Sequence, residues 1–125
     1  MNNDKLNIAI LGSEGMAGHL VYEYLCSLSM YNIFGVSRKK GNHTEKRLDV
    51  LNFDKLRQYL IEINPNIVIN CIGVLKDVSE KYPMQAILTN SYLPHFLSNY
   101  GSESNTKIVH ISTDCVFSGK SGNYT

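Results

Sequence analysis

The stretch LNIAILGSEGMAG, Leu6 to Gly18, decides the fold of this chain. A run of apolar residues, Leu6 to Leu11, passes directly into glycines at intervals of three, and helical spacing of apolar residues begins where the glycines end. That order is a buried strand, a turn and a helix. A phosphate-bearing ligand at such a turn needs bare backbone at close approach, unpaired N–H groups at the start of the helix, and a small residue where the helix crosses the strand. Gly12, Gly15 and Gly18 supply these in order. The competing reading is three glycines that merely make a tight turn; the strand before and the helix after weigh against it, so a dinucleotide site is expected here.

Working outward, the apolar runs Ile33 to Val36, Ile67 to Ile69 and Ile108 to Ile111 are short and rich in β-branched residues, as in strands buried on both faces of a parallel sheet. Between the runs, helical spacing recurs at Met16, Leu20, Tyr24 and Leu28, at Phe53, Leu56, Leu60 and Ile63, and at Met84, Ile87, Leu88, Tyr92 and Phe96. Four strands alternating with helices, βαβαβαβ with right-handed crossovers, predict a doubly wound α/β sheet of Rossmann type, with residues 1–125 as a single dinucleotide-binding domain. Asn64-Pro65-Asn66 ends the second helix, and Gly101 to Asn105 reads as a turn before the last strand. Pro94 lies four residues after Asn90 within the third helix, where it removes the N–H that would bond the Asn90 carbonyl; a kink is predicted, either tolerated or serving a site.

With 43% hydrophobic residues, 18% charged residues and a net charge of +1, the chain is too apolar for disorder and too balanced for a nucleic-acid-binding arm. Its apolar runs are too short to span a bilayer, so no membrane partner is expected. The N-terminus lacks the basic start and long apolar core of a secretory signal, and the cytoplasm is the expected location. Cys26, Cys71 and Cys115 read as reduced thiols. They and His19, His43, His95 and His110 have no metal-ligand spacing, so no metal site is expected.

Ser37-Arg38-Lys39-Lys40 follows the second strand, where an acidic residue would accept the ribose hydroxyls of NAD. A basic cluster suits a 2′-phosphate, and NADP is expected in preference to NAD; a solvated basic turn is the alternative. Asp49, ahead of the second helix, either caps that helix or accepts a hydrogen bond from adenine. Asn70-Cys71-Ile72-Gly73 ends the third strand and Ser112-Thr113-Asp114 the fourth, at the edge where open α/β sheets bind ligands. Thr113 can hold a substrate oxygen in place; the same residues also simply cap turns.

Gly12-x-x-Gly15-x-x-Gly18, Leu48-Asp49-Val50, Asn70-Cys71-Ile72-Gly73, Thr89-Asn90 and above all Ser112-Thr113-Asp114-Cys115-Val116-Phe117-Ser118-Gly119 resemble the extended short-chain dehydrogenase/reductases, in particular their dTDP-4-dehydrorhamnose reductase branch. The resemblance implies reduction of the 4-keto group of a nucleotide-linked deoxysugar with NADPH or NADH, in the supply of cell-surface polysaccharide precursors. It places Gly15, Met16 and Ala17 at the pyrophosphate, Asp49 and Val50 at the adenine, and Ile72, Gly73 and Val74 at the ribose and nicotinamide. Thr113 takes the catalytic hydroxyl role, Asp114 joins it at the substrate, and the main-chain carbonyl of Asn90 supports a water relay. Cys115 stands where the family usually has tyrosine, and Cys71-Ile72-Gly73 replaces an alanine-rich run.

The proton-donating Tyr-x-x-x-Lys motif of that family falls beyond Thr125. The resemblance therefore implies an N-terminal, cofactor-binding part of a longer reductase, inactive by itself and prone to self-association through residues 107–112. An epimerase or dehydratase of the same superfamily, or a non-catalytic dinucleotide-binding protein, are the alternative functions.

Overall fold

A computed structural model describes residues 4–113 together with Lys120 and Gly122. Five strands form one parallel sheet: β1 (Leu6–Leu11), β2 (Tyr31–Ser37), β3 (Lys46–Arg47), β4 (Ile67–Asn70) and β5 (Lys107–His110), in the order β3-β2-β1-β4-β5. β1 is central, and its last four residues, Ile8 to Leu11, are buried. Its register sets Leu11 beside Val36 of β2 and Asn70 of β4, so the three strands end together. The expected doubly wound α/β architecture is therefore present. It carries one strand more than the four expected: β3 is only two residues long, and no helix separates it from β2. Lys46-Arg47 carries no apolar signal, which is why periodicity passes over it.

One face of the sheet holds the core. Ala9 and Leu11 lie beside Val36 and Val68, and α2 (Phe53–Ile63) and α5 (Leu93–Ser104) close over them with Leu56, Leu60, Leu93, Leu97 and Tyr100. The other face is less covered. α1 (Met16–Ser27) packs on β1 and β2, where Ile8 and Ile10 are buried. Toward β5 exposure rises: Ile67 and Ile69 are half-buried, and Val109 is 38% exposed. Burial on both faces, as expected from the apolar runs, holds for β1 and fails for β5.

The helices also depart from their expected faces. In α2, Leu56 and Leu60 are buried as predicted, and Asn64 ends the helix in a left-handed conformation. In α1, Met16, Leu20 and Tyr24 face outward, and the sole buried residue is Gly18. That helix is apolar on several sides, so spacing does not choose between them. The third helical region comprises α3 (Lys76–Lys81), α4 (Pro83–Ile87), a π-helical turn (Leu88–Tyr92) and α5. Met84, Ile87 and Tyr92 are exposed, and Thr89, Leu93 and Leu97 are buried instead. Helix α5 runs through Gly101 to Ser104, where a turn was expected, and Asn105 ends it with φ of 56°.

Candidate functional site

β1 and β4 are neighbours, yet the chain leaving β1 crosses to β2 and the chain leaving β4 crosses to β5. A crevice opens where the crossovers diverge. A cleft of about 310 Å³ lies there, at the carboxyl ends of β1, β2 and β4.

The glycine turn forms its floor. Gly12 has φ of 79°, a conformation that strains any residue with a β-carbon, and the N–H groups of Gly12 and Ser13 both donate to the Val36 carbonyl, at 2.8 and 3.2 Å. A β-carbon at Gly18 would overlap the Gly12 carbonyl, so α1 crosses β1 closer than any other residue allows. Gly15 is the N-cap of α1. It lines the cleft, and among the described residues a β-carbon placed there would come closest to the Gly12 carbonyl oxygen, at 3.2 Å. No side chain caps this helix, so its first-turn N–H groups, those of Met16 and Ala17 among them, have no intrahelical partner. Ser13 is buried, and among the described residues its hydroxyl has no hydrogen-bond partner.

One wall combines the end of β2 with the segment after β3. Ser37, Arg38 and Lys39 line it, with Leu48, Asp49 and Val50 below. The Lys39 N–H donates to Ser37 Oγ at 3.3 Å, and Arg47 Nε donates to the Arg38 carbonyl at 3.0 Å. Among the described residues neither the Arg38 nor the Lys39 side chain forms an ion pair. Asn52, whose Oδ1 accepts the Lys55 N–H at 3.1 Å, is the cap of α2. That corrects the capping role offered for Asp49. Its carboxylate instead accepts the Leu51 N–H at 3.0 Å and faces the cleft.

The opposite wall is Cys71 to Val74. Buried Asn70 shapes its start: Oδ1 accepts the Ile72 N–H, and Nδ2 lies 3.1 Å from Nδ1 of His110 on β5. Asn90 shapes its end through its side chain, which bonds both main-chain groups of Val74. Pro94 occupies the start of α5, and the Leu93 N–H reaches the Leu88 carbonyl across the π turn. Where a kink was expected, the chain makes a π turn. Burial pushes the Cys71 thiol above its ordinary value, which disfavours the reactive thiolate.

The structure brings Gly12, Gly15, Ser37, Arg38, Lys39, Asp49, Val50, Ile72, Gly73 and Val74 to one cleft. Met16, Ala17, Gly18 and Asn90 are not part of that lining. Thr113 follows β5, is exposed, and is not part of the lining; Asp114 and Cys115 lie outside the described residues. Among the lining residues, Glu14, Leu51, Gln85 and Thr89 were given no site role from the sequence. Gln85 and Thr89 arrive on α4 and the π turn, whose register the sequence does not announce. Glu14 lies inside the glycine turn, and its partners are 29 and 30 residues away. Its Oε1 accepts the His43 N–H at 2.6 Å and lies 2.8 Å from Thr44 Oγ1, and its Oε2 lies 3.3 Å from His43 Nδ1. The Thr44 hydroxyl first, and the His43 backbone and ring, hold the Glu14 carboxyl below its ordinary value. No cluster of metal-ligating side chains occurs among the described residues, and none of their helices is long and apolar enough to cross a membrane.

The family described as RmlD substrate binding domain matches residues 6–125. The chain is similar to a dTDP-4-dehydrorhamnose reductase of Aggregatibacter actinomycetemcomitans, with 27% identity over 119 residues that cover 94% of this chain and 38% of the relative. Among solved structures it is similar to a dTDP-4-dehydrorhamnose reductase from Bacillus anthracis in complex with NADP, with 29% identity and a TM-score of 0.81 over 98% of this chain and 41% of that one. It is also similar to a hypothetical dTDP-4-dehydrorhamnose reductase from Sulfolobus tokodaii, with 26% identity and a TM-score of 0.85 over 96% of this chain and 44% of that one. The chain spans well under half the length of each of these relatives.

Proposed function

This chain belongs to the RmlD substrate binding domain family, and on that premise we propose that it is the dinucleotide-binding part of an NADPH-dependent sugar-nucleotide reductase. The cleft over the glycine turn carries this reading. It lies at the switch point of the sheet, its volume falls at the small end of the ligand-pocket range, and its floor is bare backbone at an uncapped helix start. The buried, unpartnered hydroxyl of Ser13 fits a site in which a ligand or a bridging water completes the turn.

Gly12, Gly15, Met16 and Ala17 hold the pyrophosphate, Asp49 and Val50 the adenine, and Ile72 to Val74 the nicotinamide side. Ser37, Arg38 and Lys39 hold the 2′-phosphate. The bound dinucleotide supplies a hydride, and the substrate that receives it is the 4-keto group of a nucleotide-linked deoxysugar. Thr113, past the end of β5, orients the keto oxygen, with Asp114 at the substrate. The complete reaction, with its tyrosine and lysine, belongs in this proposal to a protein of which the chain supplies one part, making precursors of surface polysaccharide.

Calorimetric titration of the purified chain with NADPH and NADH tests the reading. Saturable binding, tighter for NADPH, is expected. Binding of neither dinucleotide would overturn it.

A further inference from the structure

Glu14 places a carboxylate in the turn assigned to the pyrophosphate, where a bare negative charge would repel a phosphate. Here it is engaged from the far side, by the loop that connects β2 to β3. That loop carries Arg38 and Lys39 at one end and His43 and Thr44 at the other. Its N–H and hydroxyl bonds to Glu14 are joined by contacts of the His43 ring: Nδ1 lies 3.3 Å from Glu14, and Nε2 lies 3.1 Å from Glu23 on α1. The Thr44 hydroxyl also lies 3.2 Å from the Lys39 carbonyl, which links the latch to the basic end of the loop. Gly41 provides the room, since a β-carbon there would overlap the Glu14 carboxylate.

A neutral imidazole has one N–H and one lone pair; an imidazolium has two N–H groups. With a carboxylate on each nitrogen, only the imidazolium satisfies both. The neutral ring leaves one carboxylate facing a lone pair. From α1, His19 stands 6.1 Å from the His43 ring and Tyr22 meets it edge-on at 5.2 Å, while the Tyr22 hydroxyl is bonded to Glu45, the residue after Thr44. The glycine turn contributes Glu14, and the loop itself contributes Arg38, Lys39 and Lys40.

Resting on the NADP reading above, we infer that His43, clasped between Glu14 and Glu23, is a positioning residue that holds Arg38 and Lys39 at the 2′-phosphate end of the cleft and makes the preference for NADPH over NADH depend on pH. The bond to Glu14 first, and that to Glu23, raise the His43 pKa above its ordinary value. Both ring contacts are accordingly satisfied below pH about 6.5, and as pH rises through the higher folded value one of them is lost and the latch loosens onto its backbone and hydroxyl bonds.

The test is titration of the purified protein with NADPH and with NADH between pH 5.5 and 9, for the wild type, His43→Gln and Glu23→Gln. Circular dichroism checks the fold, and the His43 ring resonances are followed by NMR. In the wild type the NADPH-to-NADH affinity ratio should fall about tenfold as His43 loses its proton. His43→Gln should show the lower ratio at every pH. The titration of the 2′-phosphate itself is common to both proteins and cancels in the comparison. Glu23 is mostly exposed, so Glu23→Gln should fold, and it should move the midpoint of both the ratio and the NMR titration to lower pH.

A folded His43→Gln with the wild-type ratio and pH profile, or a Glu23→Gln midpoint that does not move, would overturn the inference while leaving the NADP reading intact. A wild type that binds neither dinucleotide overturns both.

Discussion

The side-chain amide of Asn90 is paired in both directions with the main chain of Val74: Oδ1 accepts the Val74 N–H at 2.9 Å, and Nδ2 donates to the Val74 carbonyl at 3.0 Å. One side chain from the π turn thus replaces a strand neighbour for the segment leaving β4. Only an amide offers a donor and an acceptor in that geometry. The cleft wall at Gly73 and Val74 is fixed from behind, without a side chain entering the space it bounds.

Asn90→Ala removes both bonds and should cost about 1–3 kcal/mol of stability. Asn90→Asp keeps the acceptor but turns a carboxylate oxygen toward the Val74 carbonyl, and should bind NADPH no better than the alanine variant. Urea denaturation and NADPH titration check both. Wild-type affinity in a folded Asn90→Ala would show that Val74 holds its place without the amide.

Alanine at two glycines should separate folding from binding. At Gly18 the new methyl meets the Gly12 carbonyl, backbone against backbone, and the variant should lose at least about 2 kcal/mol of stability or fail to fold. At Gly15, which lines the cleft proposed for the pyrophosphate, the β-carbon would meet the Gly12 carbonyl oxygen at 3.2 Å, a far milder approach than at Gly18. Gly15→Ala should melt within a few degrees of the wild type yet bind NADPH more weakly. The reverse ranking would contradict the division of labour in the turn.

Arg38→Ala should reduce NADPH affinity by about 1.5–3 kcal/mol and leave NADH affinity little changed, because the contact proposed for it is a charge-assisted one to the 2′-phosphate. Parallel calorimetric titrations measure both. An unaltered affinity ratio would remove Arg38 from the site.

Two tyrosines should ionise late. Burial first, then the charges of Glu45 and Glu62, raise Tyr59 to about 12, and burial with the bond to Glu45 raises Tyr22 further. A raised folded value means that stability is fully present below the ordinary tyrosine pKa of about 10 and is lost as pH climbs through the folded one. Ultraviolet difference titration should show two phenols lagging the rest, and Tyr59→Phe should abolish one of them.

Self-association should be detectable by sedimentation. Among the described residues β5 pairs with β4 alone; its Val109 is 38% exposed, and Ile111, just after the strand, is 45% exposed. Such an edge is a template for another strand. Sedimentation velocity should give weight-average values that rise with concentration; a single monomer peak up to high micromolar concentration would argue against it.

The glycine turn was legible because its three positions carry three different requirements, and all are local: a left-handed φ at Gly12, open approach at Gly15, close packing at Gly18. The doubly wound architecture followed from the alternation of strands and helices, but the short β3 did not. What sequence did not disclose depends on partners distant in the chain. Asp49 and Asn52 are both sound caps on paper, and only the placement of Leu48 and Val50 against the core gives the cap to Asn52. Met16, Leu20 and Tyr24 repeat at helical spacing as well as the buried side does, so periodicity chose the wrong face. Glu14 looked like filler between glycines because His43 and Thr44 are known to be its neighbours only once β2 and β3 are paired.

β1 is bordered on one side by residues from Tyr31 onward and on the other by residues from Ile67 onward. No hairpin can nucleate it. Both its edges remain open until a crossover helix has returned the chain, and the second partner is made long after the first. Loop closure over such distances is slow relative to local helix formation, and half-paired apolar strands are the species that chaperones recognise. The nascent chain therefore passes through a stage in which its most apolar strand has one neighbour and one bare edge, and during that interval it is exposed to aggregation in a way the finished sheet is not.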